Sequence, residues 1–249
     1  MPRNSLTVLY ILFLSSCGTT YYYYPPPVNN TCYNQKGEFL AGFQAGNTGT
    51  FIKTGYSMGD QVALSVNFFN GRGPYYRSSE QEFAFIFTHP DSNDARFNVM
   101  AGYGVGENYE HKNKSVIKDF RGRISRPFIQ FTFGTAKRYP VMGAKTYGDI
   151  ALTFRANYLF YNGYQASTQN GMSFEKQFKT GNFYYEPYIA FLFGGGRIKG
   201  EWGFGFPFKR KYEYGKDLTV YPFETNVGVV ILLGRKYVRK LEYYFKEGS

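Results

Sequence analysis

Ile150-Ala151-Leu152-Thr153-Phe154-Arg155-Ala156-Asn157-Tyr158-Leu159-Phe160 is the stretch that decides the fold. Every second residue from Ile150 is apolar, while Ala151, Thr153, Arg155, Asn157 and Leu159 fall between them. That is the two-residue period of a β-strand with one apolar face and one largely polar face.

The pattern spreads outward from there. In 128–133, Gln130 and Thr132 oppose Ile129, Phe131 and Phe133. In 183–193, Phe183, Tyr185, Ile189, Phe191 and Phe193 oppose Tyr184, Glu186, Tyr188, Ala190 and Leu192. Ile198, Trp202, Phe204 and Phe206 oppose Lys199, Glu201, Gly203 and Gly205, and Phe223 to Ile231 alternate in the same way. The periodicity predicts about ten strands: 36–46, 49–58, 61–70, 81–88, 94–105, 116–134, 147–162, 182–194, 197–207 and 218–234. The expected fold is all-β, a single antiparallel up-and-down barrel of about ten strands, with eight as the smaller alternative.

Composition agrees. Aromatic residues make up 21% of the 249 residues and glycines number 29, yet the mean hydropathy is negative. A barrel with one greasy and one polar face has that mixture. After the N-terminus no run of 18 apolar residues occurs, which argues against helical membrane spans.

Alternation does not say which face points inward, but volume does. The lumen of an eight- to ten-stranded barrel is too narrow for dozens of Phe, Tyr, Leu and Ile side chains. The opposite faces carry small and polar residues with a few charges. Gln130, Arg155, Asn157, Glu186, Lys199 and Glu201 are therefore the expected lumen residues, with Arg155 and Glu186 on consecutive strands as ion-pair partners. The apolar faces then meet lipid, as in an outer-membrane barrel.

Connection lengths point the same way, because such barrels have short periplasmic turns and longer outer loops. Gly59-Asp60, the turn near 89–94, and Gly194-Gly195-Gly196 are short. The links 71–80, 106–115, 163–181 and 208–217 read as long loops. Asn47-Thr48 is tighter, and the link around 135–146 longer, than this scheme expects. An even strand count puts both barrel termini on the short-turn side.

The N-terminus carries its own signal. Arg3 and the short apolar run 6–14 precede Leu14-Ser15-Ser16-Cys17, which reads as the lipid-attachment site of a bacterial lipoprotein. Residues 1–16 are then a cleaved signal peptide and Cys17 carries diacylglycerol and an N-acyl chain such as palmitate. Four tyrosines and three prolines make 17–35 an extended tether, which spaces the anchor from the domain or folds back along it. Residues 36–234 form the barrel and 235–249 a basic tail. Cys32, the one other cysteine, leaves no intrachain disulfide framework and reads as a small buried hydrophobe.

The net charge is +11. Lys209, Arg210 and Lys211 lie in an expected outer loop and suit lipid or lipopolysaccharide phosphates. Arg235 to Tyr244 could form a short amphipathic helix. Nucleic acid is a poor partner for an exported chain whose aromatics follow strand period. For catalysis, His111 near Ser115 is the one candidate acyl-transfer pairing, while His89 before Pro90 reads as structural. No His-x-Ser pattern occurs, and no cysteines or histidines are paired at metal-ligand spacing.

The tether, Lys36-Gly37-Glu38-Phe39 opening the first strand, and the glycine-punctuated aromatic strands after it resemble the small lipoprotein β-barrels of Bacteroidota-type bacteria, within the outer-membrane β-barrel class. The resemblance spans nearly the whole mature chain and implies a location and an architecture more than a reaction. The final residues, Lys246-Glu247-Gly248-Ser249, depart from the terminal aromatic usual in the wider class. No acidic residue follows Cys17 as far as Pro27, which in related bacteria implies an inward-facing anchor. The expected function is an outer-membrane lipoprotein, anchored at the periplasmic leaflet, with a structural, accessory or ligand-binding role, possible envelope-protein partners, no cofactor and no catalysis. The alternatives are a soluble tethered periplasmic barrel holding an apolar ligand, a lipid-modifying barrel enzyme, and a narrow pore.

Overall fold

The computed structural model describes residues 23–29, 36–73, 76–89, 95–113, 117–135, 139–140, 147–169, 172–195, 197–209 and 222–233. Ten strands build the wall: β1 Phe39–Gly46, β2 Thr50–Ser57, β3 Val62–Arg72, β4 Tyr76–His89, β5 Ala95–Asn113, β6 Ile117–Thr135, β7 Tyr147–Gln169, β8 Met172–Gly194, β9 Ile198–Gly205 and β10 Glu224–Leu233. Each pairs antiparallel with the next. β10 then pairs with β1, from Phe39 opposite Leu233 to Gly46 opposite Asn226, and closes the barrel. Two short bridges decorate it: Tyr139–Pro140 against β7 and Phe208–Lys209 against β8. Closure removes the free sheet edges around the belt, which a spanning structure requires.

The two faces are inverted relative to a soluble protein. Phe83, Phe85 and Phe87 point outward and are about half exposed, while Glu80 and Glu82 on the same strand point inward and are buried. The same holds on β7, where Leu152, Phe154 and Phe160 are exposed and Thr153, Arg155 and Asn157 are buried. A soluble calyx would need the reverse. Exposed apolar surface on this scale is stable only against a nonaqueous phase. From Ile150 to Phe160 the outward face of β7 stays apolar. Those ten steps at ~3.3 Å and a tilt of ~40° span about 25 Å, the height of an outer-membrane apolar band.

Beyond that belt the outward residues turn polar together: Asn70, Gln81, Glu107, Arg123, Asn162 and Lys179. The wall continues past this boundary. The links expected as loops at 71–80, 106–115 and 163–181 are largely strand, because β3 runs to Arg72, β4 starts at Tyr76, β5 reaches Asn113 and β7 and β8 meet at Gln169 opposite Met172. They form β-ribbons standing on one end of the barrel. Past the belt the outward residues are polar while the inward face, at Asn108, Glu110 and Phe120, stays buried, so the outward apolar period is lost while the backbone ladder persists. At the opposite end sit the tight turn 58–61, the end of β4 at His89, the start of β5 at Ala95 and the turn at Gly195, with both barrel termini.

Two prolines sit inside strands. Pro127 lacks an N–H, and the β6–β7 ladder skips from Ser125 opposite Phe160 to Phe128 opposite Asn157. Pro187 on β8 faces Phe154, and its carbonyl accepts a bond from Phe206 N at 3.0 Å.

The largest departure from expectation is the tether. Residues 23–29 do not lie outside the barrel as a spacer. All seven are buried, and their partners are lumen side chains of β3, β4, β6 and β8. Cys17, Cys32, Ser115, Arg210, Lys211 and the tail 235–249 lie outside the described residues.

Candidate functional site: a filled lumen and an outer groove

The lumen is layered. Near the short-turn end, Leu40, Ala63, Ile86, Met100, Val230 and Leu232 form an apolar floor. Toward the ribbon end, Tyr23, Phe120, Ile124, Leu159, Tyr161 and Tyr184 form an aromatic layer. Between them lies a charge cluster.

At the cluster's centre are two arginines and three carboxylates, with side chains at most 1% exposed. Arg126 on β6 donates to Glu80 Oε1 from Nε at 2.8 Å and from Nη2 at 2.5 Å, and also to Glu82. Its Nη1 donates to Asn157 Oδ1 at 2.5 Å. Arg155 on β7 donates to Glu82 Oε1 at 3.0 Å and to Gln130 Oε1 at 3.0 Å, and its Nε lies 3.8 Å from Glu186 Oε2. Asn157 Nδ2 holds the same Glu186 oxygen at 2.9 Å. Both guanidinium groups also lie over the Phe128 ring, 5.3 and 4.6 Å from its centre. Charges taken this far from water are tolerable only when paired and hydrogen-bonded, and each arginine here meets more than one acceptor.

A second pair crosses the lumen from β2 to β9, where Lys53 Nζ sits 2.5 Å from Glu201 Oε2 with both side chains fully buried. Lys199 behaves differently. It faces inward at the short-turn rim, is part-exposed, and pairs with Asp149 at 2.7 Å. Of the expected lumen residues, Gln130, Arg155, Asn157 and Glu186 thus meet in one network, Glu201 joins Lys53, and Lys199 stays at the rim. Arg126, Glu80, Glu82 and Lys53 were missed. Their signal was phase: Glu80 and Glu82 sit two apart, out of step with Phe83, Phe85 and Phe87, and Arg126 is in step with Gln130.

Glycine makes room for the large lumen side chains. A Cβ on Gly203 would fall 1.7 Å from the Tyr188 hydroxyl, which donates to Asn226 Oδ1 at 2.9 Å. Gly122 is likewise covered by the Tyr161 ring. Abundant glycine and abundant aromatics are therefore one device, a ring laid flat over a bare backbone.

Of the candidate acyl-transfer pairing, Ser115 lies outside the described residues. His111 stands on the β5–β6 ribbon with Nδ1 2.6 Å from Asp119 Oδ1, and Tyr109 donates to the same oxygen at 3.2 Å. That hydrogen bond from His111 holds the Asp119 carboxyl below its usual range. Gly55-Tyr56-Ser57-Met58-Gly59 has the G-x-S-x-G spacing of a nucleophile elbow, which sequence reasoning overlooked. Here it closes β2 into the 58–61 turn without a helix, and Ser57 Oγ donates to Gly59 O at 2.7 Å. His89 ends β4, exposed. No group of three metal-ligating side chains occurs among the described residues.

Outside the wall, an open groove of about 970 Å³ follows the ribbon-side edge of the belt. Phe68, Val105, Tyr158 and Phe160 line its apolar part, and Glu107, Arg123 and Lys179 its polar part. Arg123 lies 3.5 Å from Glu107, and both are well exposed. Lys209 lies on the short bridge to β8.

No protein-family model and no curated protein sequence matches the chain. Solved outer-membrane barrels are similar in fold. The KdgM porin in complex with disordered oligogalacturonate is 11% identical with a TM-score of 0.35, over 78% of this chain and 98% of that one. LpxR from Salmonella typhimurium is 7% identical with a TM-score of 0.40, over 78% and 99%. The unliganded ferric citrate transporter FecA is 10% identical with a TM-score of 0.34, over 71% and 38%. Ten antiparallel strands, full closure and an outward apolar belt make this chain a β-barrel of the outer-membrane type.

Proposed function

We propose that this protein is an outer-membrane lipoprotein, inserted through its own barrel and anchored in addition by lipid on Cys17, with a structural or lipid-binding role and no catalysis. The observation that carries the reading is the pairing of an apolar exterior with a lumen closed by charge pairs, an apolar floor and the segment 23–29. A lumen so filled does not support a conducting pore. Short turns at one end and ribbons at the other orient the barrel with the ribbons outward.

The outer groove supports a lipid ligand. Arg123 and Lys179 stand where headgroup phosphates lie, and Phe160 and Tyr158 continue the apolar belt beneath them. A catalytic role finds less support, since His111 is held by Asp119 on a ribbon and is not among the groove's lining residues.

Carbonate extraction of cell envelopes tests the insertion. The native protein and Cys17→Ala with a conventional cleavable signal should both stay in the membrane fraction. Release of the unlipidated form would show that lipid was the sole anchor and overturn the inserted reading. Incorporation of an alkyne fatty acid, lost in Cys17→Ala, tests the lipid itself.

A further inference from the structure

The course of the N-terminal segment has a direction. Lys36 N bonds to Asp60 Oδ1 at 3.3 Å and Gly37 N to Ser57 O at 2.8 Å, which places residues 36 and 37 at the short-turn end. Asn29 lies at mid-height: its Nδ2 donates to Asn67 Oδ1 at 3.3 Å and its carbonyl accepts from Gln130 Nε2 at 2.6 Å. Val28 packs with Tyr188 and Ala190. Tyr23 meets Glu80 at 3.0 Å and Tyr184 at 3.1 Å, four residues nearer the ribbon tip of β8 than Tyr188. Tyr24 stacks on Tyr76, the first residue of β4 after the β3–β4 turn, with ring centres 3.6 Å apart.

The distances agree. At the rise of a polyproline helix, the five steps from Asn29 to Tyr24 would cover about 15 Å. The six residues from Glu82, which holds Asn67, to Tyr76 rise by about the same along a tilted strand. After the β-bridge at Tyr23 the stretch 24–29 has no strand assignment, and the prolines suit it, since Pro25, Pro26 and Pro27 bring no N–H groups that the lumen would have to satisfy.

We propose that this segment threads the barrel from the short-turn end to the ribbon end, so that the residues before Tyr23, lipid-bearing Cys17 among them, are delivered to the outer side of the membrane. This rests on the outward orientation of the ribbons and the lipidation given above. It departs from the periplasmic-leaflet anchor expected from strand parity and from the lack of acidic residues after Cys17; strand parity sets where β1 begins but not where the preceding chain goes. The β3–β4 turn lies just past Tyr76, and the six residue steps from Tyr23 to Cys17 can span at most about 20 Å, a reach long enough to pass that rim.

Cysteine accessibility tests it. In a Cys32→Ser background, Thr20→Cys is compared with Gln169→Cys at a ribbon tip and with Gly59→Cys in a short turn, where an added Cβ meets nothing within 4 Å. A membrane-impermeant maleimide is applied to intact and to permeabilised cells, and only protein with the heat-sensitive mobility of a folded barrel is scored. Threading predicts that Thr20→Cys labels in intact cells to the level of Gln169→Cys, while Gly59→Cys labels only after permeabilisation. Protection of Thr20→Cys in intact cells, with Gln169→Cys labelled, overturns the proposal. Labelling of Gly59→Cys but not Gln169→Cys in intact cells would show instead that the barrel's orientation is wrong. Loss of fatty-acid incorporation with Thr20→Cys still exposed would remove the lipid but leave the threading.

Discussion

Phe154 and Arg155 are neighbours in sequence and opposites in environment. Phe154 stands on the outer wall among other apolar side chains, and Arg155 is fully buried in the lumen against Gln130, Glu82 and Glu186. The outer face needs only to be apolar and evenly distributed, because a lipid phase accepts any rotamer. The inner face must satisfy each charge with a named partner at hydrogen-bond distance. Substitution should therefore be tolerated outside wherever it stays apolar, and inside hardly anywhere near the cluster.

The sharpest way to break this contrast is Arg126→Ala. It leaves Glu80 and Glu82 buried without their shared cation, and the expected loss is about 3–5 kcal/mol, read as a lower unfolding midpoint in urea. Next comes Phe154→Arg, a charge at mid-belt. In a bilayer it should cost about 2–4 kcal/mol, whereas a wall facing water would barely register it. Reversible unfolding from liposomes measures both. Gly203→Val then probes the ring-over-glycine packing. Displacing Tyr188 and its bond to Asn226 should cost about 1–3 kcal/mol, seen as a lower temperature for conversion to the unfolded gel mobility. The smallest effect belongs to the ribbons. Asp119 has a depressed folded-state pKa, so its contribution is present above the unfolded carboxylate value and fades as pH falls through the depressed one. Asp119→Asn should remove that acid dependence from ribbon hydrogen exchange and leave barrel stability unchanged.

The barrel was legible in the sequence because a wall between lipid and a polar lumen imposes a period of two with opposite chemistry on its faces, as 150–160 show. The ribbons were not, because past the belt the outward face turns polar, as at Glu107 and Lys179, while the inward face carries polar Asn108 and Glu110, so the pattern loses its apolar phase. Glu80 fell in that blind region, at the boundary between a ribbon and the belt. The threaded segment was illegible for a different reason. Tyr23 to Asn29 has the composition of a spacer, and only the positions of Tyr76, Glu80 and Gln130 in three dimensions show that it fills a lumen.

Trp202 is the sole tryptophan of the chain, and it stands half exposed on the outer face of β9 within the belt. With the protein refolded into liposomes, its fluorescence should be quenched by brominated acyl chains and protected from iodide in the aqueous phase. Quenching by iodide without quenching by brominated lipid would place the apolar wall in water and contradict the inserted barrel.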